Sequence, residues 1–431
     1  MQKIKSVLFQ KKTLVYLITI VLSILYVVIG NRIATRGLET AEGADTRIPV
    51  KAAVTKIISR SDLAEDGSFS GITTVTFEAR VTSGERKGTV LTATQQIDSV
   101  YPAELKEVEI GDKVLLYEDT ESETRGWIMG EYVRFDPLLI LAVLFGVGLL
   151  IFGRMKGINT IVSLAFTFLA VFLVFIPAVM SAQNIYFWSI LTCIFITVMT
   201  LLIINGADRK SFAAGIGCFS GMAVSGLLTV VMDSIIRLTG WLEEDSINLY
   251  MLNPHGHIDL KAIIFASIII GAIGAIMDVA MSVASALYEL KVNLPNASAK
   301  DLYRSGITIG RDMMGTMANT LVLAYIGSSL SMTLLMIAYT SSLTGLLNRE
   351  AIVVEILNAL AGSIGILLTI PLTSFVCSVL YTRKKMPAAA RRAEDDEDRL
   401  PEPEHGRPPM PEPKSYFSMD DWKDGDDYDG I

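Results

Sequence analysis

The 431-residue chain is 51% hydrophobic, with a mean hydropathy of +0.46 and a formal net charge of -8. A soluble domain of this length rarely reaches such values, so the composition excludes an ordinary soluble protein and indicates a multispanning membrane protein. Its three cysteines, Cys193, Cys218 and Cys377, all stand inside apolar runs, with neither a disulfide framework nor metal-thiolate spacing.

The first apolar run, Leu14 to Gly30, follows Lys11 and Lys12 and is expected to be an uncleaved signal anchor; the alternative is a cleaved leader. Between residues 31 and 134 the periodicity changes from helical to alternating. Val75, Phe77, Ala79 and Val81 alternate with Thr74, Thr76, Glu78 and Arg80, the pattern of a half-buried strand over Ile72 to Thr82. Further strands are expected over Pro49 to Ile58, Gly88 to Ile97, Asp112 to Tyr117 and Gly126 to Phe135. The turns between them fall at residues 65–68, 83–85 and 110–112. Such short strands predict a small OB-like or SH3-like barrel.

Seven more apolar runs follow: Pro137 to Gly153, Ile158 to Met180, Ile185 to Asn205, Phe212 to Ile236, Ala262 to Leu287, Met317 to Ser341 and Ile352 to Tyr381. With the first run they predict a mainly α bundle of eight crossings, because a lipid-embedded backbone must satisfy its own hydrogen bonds. Basic residues gather after every second run, at Lys3 to Lys12, Arg154 and Lys156, Arg209 and Lys210, Lys291 to Arg311, and Arg383 to Lys385. That bias predicts cytoplasmic termini and an extracytoplasmic barrel. Beyond Met386 the chain has six Lys/Arg against fourteen Asp/Glu and seven of the fourteen prolines, so a disordered acidic cytoplasmic tail is expected. The expected division is therefore an anchor over 1–30, a strand-rich domain over 31–134, a seven-span domain over 135–382 and a tail over 383–431.

Two long motifs carry a family resemblance. They are Gly271-Ala-Ile-Gly-Ala-Ile-Met277-Asp278-Val-Ala-Met-Ser282-Val-Ala-Ser285-Ala-Leu-Tyr-Glu289 and Gly310-Arg311-Asp312-Met-Met-Gly315-Thr316-Met-Ala-Asn319-Thr320. With the Ser83 to Gly88 and Val108 to Val114 segments of the strand-rich region, they make residues 14 to 382 resemble the YibE/F-like family of bacterial integral membrane proteins. The resemblance implies the architecture and a place in the bacterial cell membrane. It leaves function to the residues.

Asp278 is the first of these, because a carboxylate within an apolar span normally faces protein interior or a wet cavity. Ser282, Ser285 and Glu289 follow it at offsets of four, seven and eleven, on one helical stripe. Asp312, Thr316 and Asn319 repeat the four and seven spacing on the next helix. These hard oxygen donors suit a cation or a proton relay, and a bound cation is the only cofactor the pattern suggests. The competing reading is structural: hydroxyls bonded to backbone carbonyls, and Asp278 locked to Arg304 or Arg311.

Weaker candidates surround this set. His255 and His257, beside Glu243 to Asp245 and Asp259, could hold a transition metal, or be solvated in a turn. Met232-Asp233 echoes Met277-Asp278. Ser298 and Asp301 form a capping-box pattern that points to a short interfacial helix gating the cytoplasmic mouth, with Leu302, Tyr303 and Ile307 facing the membrane; the alternative is a passive connector. Gly215, Gly217, Gly221, Gly226, Gly271, Gly274 and Ala275 would let helices approach closely or mark an interrupted helix.

No phosphate loop, nucleophile elbow or His-Glu-x-x-His motif occurs, so an enzyme is not expected. The leading expectation is a secondary transporter or ion-coupled permease with its cation or proton site in the cytoplasmic half. A scaffold or sensor whose outer domain binds a partner, and an intramembrane aspartyl hydrolase using Asp278 and Asp312, are the alternatives. Expected partners are the bilayer and either a second copy or a paired membrane subunit, with no nucleic acid.

Overall fold

The computed structural model describes residues 2–36, 47–63, 69–98, 106–119, 126–242, 244–251, 257–340 and 342–382. The acidic tail and the turn at 65–68 lie outside these residues. The first helix, α1 (Gln2–Ala34), is followed by five strands, β1 (Val50–Leu63), β2 (Phe69–Val81), β3 (Val90–Asp98), β4 (Lys113–Glu118) and β5 (Trp127–Tyr132).

The strands close into a barrel in the order β1-β2-β3-β5-β4, with β3 and β5 parallel and the other pairs antiparallel. This is the order of an OB-type barrel, not an SH3-like one. The long β1 pairs with both β2 and β4, and register shifts at Val54/Lys56 and Ile57/Ser59 let it bend between them. The alternation read from sequence is the inside–outside pleat: Val75, Phe77, Ala79 and Val81 are buried with Val54, Val114 and Leu116. Gly84 and Gly111 take positive φ of 83° and 100° in the expected turns, a backbone that side chains with a Cβ resist. The last expected strand ends early, because helix begins at Phe135.

The helices are α2 (Phe135–Ala170), a π-helical turn (Val171–Phe175), α3 (Ile176–Met180), α4 (Ile185–Ile204), α5 (Arg209–Ile236), α6 (Glu244–Met251), α7 (Leu260–Asn293), α8 (Ala299–Ser328), α9 (Leu330–Ala338), α10 (Leu343–Leu347) and α11 (Glu350–Thr382). Among the described residues six helical segments are long and apolar enough to cross a membrane, or seven if α8 and α9, bent by 62° at their junction, count as one. Two of the expected runs share the 46-residue segment Phe135–Met180. Arg154 breaks it with φ 47° and ψ -124°. A Cβ on Gly157 would meet the Leu149 carbonyl, eight residues back, although a straight helix would separate the two by about 12 Å. The chain folds sharply there.

The core of the bundle is the set α5, α7, α8 and α11. Small residues bring α5 and α11 together: Gly217 faces Thr373, Gly221 faces Thr369, and Gly365 faces Ser225, whose hydroxyl donates to the Ala361 carbonyl at 3.0 Å. Close packing thus accounts for Gly217, Gly221, Gly226 and Gly271, whereas Gly274 meets nothing within 4 Å. Buried Tyr381 donates to the Ala284 carbonyl at 3.1 Å and ties α11 to α7. Helix α1 also joins the bundle, with Tyr26 stacked on Phe195 at 3.9 Å and the Asn31 amide donating to the Leu173 carbonyl in the π turn at 2.6 Å.

Glu350 anchors the loop after α5: Thr239 N, Thr239 Oγ1 and Gly240 N each donate to it at 2.6 Å. Glu350→Ala should cost about 1 to 3 kcal/mol, since it strands donors bonded to a charge. A lowered melting temperature in detergent checks this. Neutralising Lys51, which pairs with Asp136 at 3.2 Å in an exposed contact, should change stability by less than about 1 kcal/mol.

Candidate functional site

Contacts along α7, α8 and α11 set their relative levels. A Cβ on Gly306 would meet Leu287 and Ser374, one on Gly310 would meet Ile370, one on Gly362 would meet Leu321 and Ala272, and one on Gly271 would meet the Tyr325 hydroxyl. Helix α8 therefore runs antiparallel to both α7 and α11. Interpolating between these contacts brings Asp278 level with Thr316, and Ser282 level with Asp312.

At one end α7 and α8 diverge into an open groove of about 610 Å³, lined by Ala286, Glu289, Leu290 and Asn293 from α7 and Arg304, Ser305, Thr308 and Ile309 from α8. From Glu289 the α7 stripe continues through Ser285, Ser282 and Asp278. Asp312 and Thr316 follow Ser305 and Ile309 at seven residues, and Asn319 follows Asp312 by the same step, so the α8 stripe continues in parallel. Asp278, Ser282, Asp312, Thr316 and Asn319 are exposed on the protein and Ser285 is half-buried.

The two stripes run on from the groove, whose lining holds none of the six residues. Among the described residues no hydrogen bond or ion pair links any two of the six, and none joins Asp278 to Arg304 or Arg311. The Thr316 hydroxyl donates to the Met313 carbonyl at 2.9 Å, as a helix-bound threonine does. Asp278 and Asp312 also lack the mutual hydrogen bond of carboxylates that share a proton.

The family comparison agrees with the resemblance carried by these motifs. A family model described as YibE/F-like protein matches residues 141–383, which includes both stripes. The chain belongs to the YibE/F-like family. The match leaves the first helix and the barrel outside, although the sequence resemblance extends to residue 14. No curated protein and no solved structure matches the chain. Membership and the apolar helices make this YibE/F-like chain a multi-pass membrane protein.

Other expected features resolve differently. The capping box is present, with Ser298 and Asp301 each accepting from the other's backbone, but the helix it starts runs unbroken to Ser328. Among the described residues there is no separate interfacial helix at this point; Leu302 is fully buried and Ile307 packs on the core, so these two do not face outward, whereas Tyr303 is exposed as expected. The Met317 to Ser341 run is bent at Ser329 instead of crossing straight. His255 lies outside the described residues, His257 stacks on Tyr250 at 4.2 Å, and among the described residues no group of three metal-ligating side chains occurs. Asp233 forms an ion pair with Lys261 at 3.4 Å.

Three residues were not singled out in the sequence. Glu355 and Asn358 lie within the last apolar run, and Tyr325 faces Gly271 from α8. The rule that found Asp278, a carboxylate inside an apolar span, would have found Glu355 as well.

Proposed function

We propose that this chain is an ion-coupled secondary permease of the bacterial cell membrane, with a cation or proton site built on Asp278, Ser282, Ser285, Asp312, Thr316 and Asn319. One observation carries the reading: Asp278 lies within the apolar α7 and has no ion pair or side-chain hydrogen bond among the described residues, which argues against a structural lock. A carboxylate at membrane depth needs water, a cation or a proton, and Asp278 is exposed on the protein and open to all of these. The all-oxygen donor set suits hard cations.

Eight crossings fit this reading. The segment Phe135–Met180 would extend about 70 Å as a straight helix, against about 30 Å of hydrocarbon, so the break at Arg154 supports two crossings there. With α8 and α9 as one broken crossing, the even total returns both termini to the cytoplasm. The apolar surface of α2 from Leu138 to Phe152 suits lipid, or a second copy or paired membrane subunit. Labelling tests the topology: with a cysteine at Ser83 an impermeant maleimide should react in intact cells, and at Asn296 it should not. The reverse pattern would overturn it.

A sensor reading has one observation in its favour. Lys51 and Lys113 of the barrel clasp Asp136 at the start of α2, at 3.2 and 3.6 Å, which would transmit a barrel displacement to the membrane helices. The permease reading is tested by melting the purified protein against a panel of Na+, K+, Mg2+, Ca2+ and Mn2+ salts and of pH. At least one condition should raise the melting temperature through Asp278. A flat response throughout would contradict the site.

A further inference from the structure

We infer that Tyr325 of α8 with Glu355 and Asn358 of α11 forms a second cation station, which takes Na+ or a proton as the unit positive charge that neutralises the Glu355 carboxylate. Its part in transport rests on the permease reading; its existence does not.

Three buried oxygens without hydrogen-bond partners lie at this level of α8 and α11. Glu355 Oε2, Asn358 Oδ1 and the Tyr325 hydroxyl are each buried with no hydrogen-bond partner, and Asn358 is only 6% exposed. Asn358 stands one turn beyond Glu355 and acts on its carboxylate, while Tyr325 feels the Glu355 charge from the neighbouring helix. The antiparallel register of α8 and α11 brings Tyr325 and Glu355 to one level, and Gly271 leaves room for the phenol where a Cβ would collide with its oxygen. Carboxylate, amide and phenol oxygens form a hard donor set.

The surroundings supply no protein cation. The helices packed against α11 are α5, α7, α8 and α10. Near Val354 and Leu357, α7 presents Ile264 and Ile268 and α5 presents Leu228 and Met232, all apolar. The α10 sequence holds no charged residue. Among the described residues no ion pair joins Glu355 to a charged side chain. Glu355 is half-buried with its Oε2 shut off from solvent, and a carboxylate so placed in an apolar span is stabilised by neutralisation.

Helix geometry points the same way. Helix α8 ends one turn beyond Tyr325 and bends by 62° into α9. At that break the Tyr325 carbonyl accepts from Ser328 Oγ and Ser329 Oγ, both at 2.9 Å. Interrupted helices of this kind line ion sites in transporters. Gly271, level with Tyr325, precedes Asp278 by seven residues, so the two carboxylate stations lie about 10 Å apart along α7.

The test uses the full-length protein in detergent. Its melting temperature is followed against NaCl, balanced with choline chloride at fixed pH, and against pH without Na+. The chains compared are Asp278→Asn alone and the same chain carrying Glu355→Gln or Tyr325→Phe. Asp278→Asn should keep an upward shift with Na+ or on acidification, Glu355→Gln should abolish it, and Tyr325→Phe should reduce it. A shift with NaCl at constant pH identifies Na+; a shift on acidification alone identifies the proton. A monodisperse Asp278→Asn protein that responds to neither, or a response that survives Glu355→Gln, would overturn the station. Should Glu355→Gln not fold, the Tyr325→Phe result decides, with an unchanged response counting against it. A Glu355-dependent shift without flux in proteoliposomes would keep the station and remove the permease.

Discussion

Asp278→Asn is expected to remove the stabilisation that ions exert through the α7–α8 groove while leaving the ion-free protein at least as stable as the parent. The asparagine keeps the shape and loses the charge. A ligand that binds only the native state stabilises it by about 2.7 kcal/mol at 100 times its Kd, and that gain disappears with the site. The ion-free protein should not suffer, because Asp278 has no ion-pair partner to strand. A structural lock would give the opposite result, a loss of about 3 to 5 kcal/mol from an uncompensated partner. A variant that is much less stable without ions, and is rescued by neutralising Arg304 or Arg311, would sink the site.

Gly221→Leu should be the most disruptive single change in the bundle core. A Cβ at Gly221 would already collide with Thr369 Oγ1 and come within 3.0 Å of Ile276 Cγ2 and 3.2 Å of the Gly365 carbonyl. The longer side chain must therefore push α5 and α11 apart along their small-residue seam. Overpacking of this kind costs about 1 to 3 kcal/mol, and more where backbone blocks the way. Gly274→Ala is the paired control. It meets open space, so it should be neutral or gain up to about 1 kcal/mol of helix propensity. Folded yield and melting in detergent separate the two, and equal melting temperatures would refute the seam.

Much of the fold was legible because burial leaves periodic marks. The period-two alternation at Val75 to Val81 became a barrel wall, and Ser298 with Asp301 marked a helix start. The capping pattern did not reveal how far that helix continues, since length is decided by the contacts of Gly306 and Gly310 with α11, which are remote in sequence. The break at Ser329 was hidden for a related reason: hydropathy counts apolar residues and is blind to direction. At the candidate site, spacing put Asp278, Ser282 and Ser285 on one stripe and Asp312, Thr316 and Asn319 on another. That both run on from one groove depends on the pairing of α7 with α8. Glu355 carries the same signal as Asp278, but its nearness to Tyr325 depends on the pairing of α11 with α8, which spacing along one helix does not show.

Ion movement across a membrane tests the central claim most directly. Wild-type protein and Asp278→Asn are reconstituted into liposomes, and radioactive Na+ exchange and internal pH are followed after a gradient is imposed. The wild type should carry Na+ or protons faster than empty liposomes, and Asp278→Asn should fall to the empty level while remaining folded. Wild-type liposomes indistinguishable from empty ones under both gradients, or an Asp278→Asn variant as fast as the wild type, would contradict the account.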